Sequence, residues 1–60
     1  MTSQVKIQAQ LAGGLWQTLM SMNANDSVGI KMRLDQAHAQ YKVRCRAVDA
    51  MSGCVVDYRG

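Results

Sequence analysis

Residues 4–22 read QVKIQAQLAGGLWQTLMSM, and the fold turns on whether this stretch doubles back as a hairpin or runs on as one helix. Its first half alternates strictly, with Val5, Ile7, Ala9 and Leu11 set against Gln4, Lys6, Gln8 and Gln10. Successive side chains of a strand point to opposite faces, so this is the pattern of a strand with one buried side. Gly13-Gly14 then offers the positive φ angles that a tight hairpin tip requires. A two-residue tip there pairs Leu11 with Trp16, Ala9 with Thr18, Ile7 with Met20 and Val5 with Met22, all on one face. Read as a helix, the same stretch gathers Ile7, Leu11, Leu15, Thr18 and Met22 on one side. Two glycines in its middle would cost that helix about 1 kcal/mol each. The hairpin is the better reading.

Working outward, the period of two recurs. Val28, Ile30, Met32 and Leu34 alternate with Gly29, Lys31, Arg33 and Asp35, and Tyr41, Val43, Cys45 and Ala47 with Lys42, Arg44, Arg46 and Val48. A last run, Cys54, Val56 and Tyr58, follows the turn residues Ser52-Gly53. Joined through loops at 23–27 and 35–40, these runs pair Met22 with Val28, Met32 with Val43, Ala47 with Val56 and Cys45 with Tyr58. Each pairing keeps the apolar set on one face, although a slip of one residue would reverse it. The expected fold is a mainly-β single domain over residues 1–60: a small five-stranded antiparallel meander, forming a half-open barrel or sheet. Two features oppose it. Leu15 and Leu19 would point outward, and the segment Asp35–Gln40 has helical rather than strand propensity. One alternative packs an N-terminal helix on a three-stranded antiparallel sheet. The other is a ribbon-helix-helix dimer, with a strand at 4–10 and helices at 14–22 and 27–48. The second of those helices would bury Ile30, Leu34, Ala37, Tyr41, Cys45 and Val48.

A chain of 60 residues buries only about 60% of the surface it exposes when unfolded. With no Phe, one Trp and two Tyr, it has little rigid aromatic volume, and its five Met residues adapt to irregular gaps. A core completed by a second copy, in a homo-oligomer, is therefore expected. No stretch approaches the roughly 20 apolar residues of a membrane span. Gln4, Lys6, Gln8 and Gln10 interrupt any apolar core of a signal peptide. Two cysteines without an export signal read as free thiols in a reducing compartment, so the expected location is cytoplasmic.

The nucleophiles and acids form no catalytic constellation. Cys45, Cys54 and the single His38 lack the paired spacing of a zinc site, so no metal and no cofactor is expected. Of the four acids, Asp26 reads as a cap or turn residue, Asp35 as a loop edge and Asp49 as a turn opener. Asp57 is expected opposite Arg46 on the outer face, as an exposed pair worth at most about 1 kcal/mol. Gly13-Gly14 lacks the lysine of a phosphate loop. The chain reads as a binding protein and not as an enzyme.

The net charge is +3 with a pI near 9.2. In the meander, Lys31 lies opposite Arg44 and Arg33 opposite Lys42, with Arg46 beside them: five of the seven basic residues on two neighbouring strands. Like charges placed opposite one another oppose folding, so such a face favours an anionic partner. The expected function is a small non-enzymatic regulatory or accessory protein that binds nucleic acid through this basic strand face. Gln8 and Gln10 would add base or sugar contacts. No aromatic alternates with the basic residues in this register, so phosphate and groove contact is expected in place of base stacking. The second expectation is a modulator or inhibitor of a larger enzyme or complex, contacting it through Leu15, Leu19 and Val48.

Overall fold

The 4–22 stretch does fold back on itself. In the computed structural model, which describes residues 3–60, strand β1 (Gln4–Gln10) pairs antiparallel with strand β2 (Trp16–Asn23). Helix α1 (Ser27–Tyr41) follows, then strands β3 (Cys45–Asp49) and β4 (Val55–Arg59). The sheet order is β2-β1-β3-β4 and every neighbouring pair is antiparallel. The expectation of a small, mainly-β antiparallel domain holds. Four strands and one helix replace the five-stranded meander, and the sheet is open, not barrel-like. The helix-first and ribbon-helix-helix alternatives both fail at residues 16–23, which form a strand.

Residues 28–34 are the main correction. They are helical, and so is the stretch 35–40 expected as a loop. Ile30 and Leu34 suit either structure, because positions four apart share a face in both a strand and a helix. Ala37 decides between them. Ile30, Leu34 and Ala37 are buried together, the 3.6-residue stripe of a helix, whereas Val28 and Met32 are exposed. Asp26 starts the helix as its cap, accepting a hydrogen bond from Gly29 N at 3.0 Å, the role read for it in the sequence. The helix stops at Lys42, which adopts the left-handed conformation (φ 56°) and donates its N–H to His38 O at 2.8 Å.

Helix α1 carries the chain from β2 past β1 to β3, and it covers one face of the sheet. Val5, Ile7 and Ala9 of β1 and Cys45 and Ala47 of β3 turn toward the helix and are buried against Ile30, Leu34 and Ala37. On β4, Arg59 contacts Asp35 of α1 and Asp57 of its own strand, and Val56 lines a hollow with Val5 and Ile30. Asp35 is thus a helix residue and not a loop edge. Asp57 lies opposite Ala47, not Arg46. Asp49 opens the last turn as expected, accepting from Met51 N at 2.8 Å. Among the described residues, no helix is long and apolar enough to cross a membrane.

Candidate functional site

The sheet face away from the helix is uncovered, and two one-residue shifts decide what stands on it. The first hairpin turns through three residues, Ala12–Gly14, with Gly13 and Gly14 both at positive φ (84° and 75°). Leu11 N bonds to Leu15 O across it. The longer turn moves the register by one, so Trp16 faces Gln10, Gln17 faces Ala9 and Thr18 faces Gln8. A bulge at Leu19 then restores the expected pairs Ile7–Met20 and Val5–Met22. Between turn and bulge, Trp16 and Thr18 are transferred from the helix side to the open side. The second hairpin repeats the device. A bulge at Val56 puts Tyr58 opposite Arg46 and Arg59 opposite Cys45, where the sequence reading had Tyr58 opposite Cys45.

The outcome is a band across all four strands. Arg46 lies at its centre, its guanidinium carbon 4.1 Å from the centre of the Trp16 ring. Arg46 Nε donates to Gln8 Oε1 at 2.8 Å, and Gln8 Nε2 donates to Thr18 Oγ1 at 3.3 Å. Tyr58 flanks Arg46 on β4 and is 63% exposed. Arg44 extends the ladder of β3, its carbonyl accepting from Gln10 N at 2.8 Å, and Lys6 stands two residues before Gln8 on the same side. Gln10 bonds through Nε2 to Gly14 O at 3.0 Å.

The sequence-predicted residues separate into three groups. Gln8, Gln10, Arg44 and Arg46 come together on the open face. Lys31 and Arg33 do not: they ride on α1, in the opposite layer, and Lys42 ends that helix. The expected facing pairs Lys31–Arg44 and Arg33–Lys42 are therefore absent from the fold. The apolar trio also divides. Leu15 is exposed at the hairpin tip, Leu19 is half-buried at its bulge against the core, and Val48 is buried rather than available as a surface contact. Trp16, Thr18 and Tyr58 join the open-face group unforeseen, and so does Lys6, which the sequence gives a contact only in the ribbon of the ribbon-helix-helix alternative. Lys6 was legible from the alternation of β1, but the others depend on the register shifts.

The charges segregate by face. Asp26 and Asp35 belong to the helix layer, Asp57 turns toward it, and Asp49 is engaged in the last turn. The open face thus carries Lys6, Arg44 and Arg46 with no Asp side chain among them. Elsewhere the chemistry is quiet. Burial pushes the Cys45 thiol above its ordinary pKa, so it is protonated and unreactive at neutral pH, while Cys54 is exposed and free. His38 Nδ1 lies 2.9 Å from Val43 O, and among the described residues no cluster of His, Cys, Asp or Glu could hold a metal.

No protein-family model, curated protein or solved structure matches this chain.

Proposed function

We propose that the chain is a small non-enzymatic nucleic-acid-binding protein whose open sheet face takes single strands. The observation that carries this reading is the Trp16–Arg46–Tyr58 band, flanked by Lys6 and Arg44 on a face without acids. Flat aromatic rings on a sheet offer stacking surfaces to unpaired bases, and cations beside them neutralise the phosphates. A duplex hides its bases and uses only the cations. This revises the expectation of phosphate and groove contact without base stacking, because that expectation placed Trp16 and Tyr58 in the core.

The single Trp16 is its own reporter. A short single-stranded RNA is expected to quench its fluorescence and to bind more tightly than the same sequence as a duplex. With three cations on the face, log affinity should fall with log salt at a slope of about −2, since each phosphate neutralised on a single strand contributes roughly −0.7. Arg44→Glu should flatten that slope, and Lys31→Glu, on the helix layer, should leave it unchanged. A slope indifferent to Arg44 but sensitive to Lys31 would place the contact on the helix and sink this reading.

Self-association has a defined place in this proposal. β2 is an edge strand of eight residues with no charged side chain, whereas the other edge, β4, has five residues including Asp57 and Arg59. Long neutral edges pair readily with another strand. Pairing of two β2 strands would join two open faces into one sheet. Sedimentation equilibrium should then report about twice the 6.6 kDa chain mass, and a mass of one chain at millimolar concentration would exclude it.

A protein partner is the second reading. It is favoured by a groove between β2 and α1 made of two hollows that share Arg33 and Gln36, one lined also by Ile7, Leu19, Met20 and Tyr41 and the other by Met22 and Met32. Leu19 would contribute to that contact from the floor of the groove. A chain that binds no nucleic acid at low salt would move the proposal to this groove.

A further inference from the structure

Arg46 is held in an unusually determined position for a surface arginine. The indole of Trp16 lies against its guanidinium, and Gln8, itself tied to Thr18, accepts from its Nε. Those contacts occupy one ring face and the inner corner of the fork. Among the described residues, neither terminal nitrogen of Arg46 donates to a protein acceptor. The edge formed by Nη1 and Nη2 is therefore free while the plane that carries it is fixed. A free, oriented pair of parallel donors matches two acceptor atoms lying side by side in one plane.

Resting on the single-strand reading above, we infer that Arg46 selects guanine, its Nη1–Nη2 edge donating to O6 and N7 of an unpaired base. Guanine presents two adjacent acceptors on that edge, whereas adenine sets an amino donor beside N7 and meets the fork donor against donor. Tyr58 argues for a base over a phosphate. It is the cross-strand neighbour of Arg46 and exposed, so a base held in the plane of the fork has a phenol ring to stack on. A phosphate on the same fork would leave that ring without a role. Gln10 stands on the same face with its Oε1 free of protein donors among the described residues, and it adds an acceptor for a neighbouring base.

The experiment uses uridine hexanucleotides with one position varied among guanine, 7-deazaguanine, adenine and cytosine, titrated against the whole chain by Trp16 fluorescence. The guanine strand is expected to bind about 10- to 100-fold more tightly than the adenine strand. 7-Deazaguanine, which lacks only N7 as an acceptor, should fall toward the adenine value. Arg46→Lys keeps the charge but not the fork, so it should preserve the salt dependence and lose the base preference. Equal affinity for all four strands, or a cytosine strand as tight as guanine, would overturn guanine selection while leaving single-strand binding in place. No binding by any strand would overturn both readings together.

Discussion

Replacing Leu34 by alanine is expected to remove about 2–5 kcal/mol of stability, the range for emptying a buried leucine site. Leu34 is fully buried, in the middle of the α1 stripe, and it faces the layer made by Val5, Ile7, Ala9, Cys45 and Ala47. Three of those five, Ala9, Cys45 and Ala47, are small and fill little of the space that the leucine side chain leaves. Natural domains hold roughly 0.05–0.15 kcal/mol per residue, which gives a 60-residue chain about 3–9 kcal/mol in all. One methyl-bearing branch thus accounts for a large share of the total. Met32→Ala supplies the contrast, because Met32 lies on the outward side of the same helix and is 65% exposed. Its effect should stay within about 0.5 kcal/mol. Urea unfolding followed by far-ultraviolet circular dichroism measures both. If residues 28–34 were a strand of the expected meander, Met32 and Leu34 would share the buried face and the two substitutions would cost alike.

The second large effect concerns binding. Trp16→Ala is expected to weaken single-strand RNA binding by about 1–3 kcal/mol, the worth of one base stacked on an aromatic ring. Arg46 would also lose the ring that fixes its plane, so the loss should lie toward the upper end. The domain should remain folded, because Trp16 stands outside the buried cluster on the uncovered side of an edge strand. Anisotropy of a labelled oligonucleotide reads the affinity without needing the tryptophan. Trp16→Phe, which keeps a stacking ring, should recover much of the loss. Leu15→Ala changes the adjacent residue, exposed at the hairpin tip, and should change nothing. Duplex binding should be nearly indifferent to all three. A Trp16→Ala variant with unaltered affinity would mean that bases do not stack on this face.

Much of the fold was legible in the residues. The strict alternation of β1, the glycine turn, the Asp26 cap and the Asp49 turn each appear where the local chemistry placed them. The helix was obscured because Ile30 and Leu34 satisfy two periodicities at once. Its resolving residue, Ala37, lies in the segment Asp35–Gln40, whose helical propensity competes with the period of two on either side. The interface was obscured for a different reason. Its two aromatics reach the open face only because one strand of each hairpin carries an extra residue, at Leu19 and at Val56. Alternation counts positions along a single strand, and a bulge is a disagreement between two. Gln8, Gln10 and Arg46 sit on unbulged strands, with Arg44 just before β3, and for these the alternation gives the outer side that the structure shows.

The position of β1 in the sheet has a consequence for how the chain reaches this structure. Its one neighbour, β2, follows immediately, but its other neighbour, β3, arrives only after the helix, so that Gln8 and Arg46 meet across 38 residues of sequence. Closing such a loop costs about 3 kcal/mol in chain entropy beyond a constant term. Until it closes, the first hairpin presents Val5, Ile7 and Ala9 to water with nothing to cover them, and an isolated hairpin is at best marginally stable. Neither half of the chain is therefore a stopping point: helix, β3 and β1 become worth ordering only together. One of the contacts that bridge the two halves, Gln8 to Arg46, is also the centre of the proposed recognition band. Folding is complete when that band is assembled, and a partner that clamps it would stabilise the whole domain through the pairing of β1 with β3.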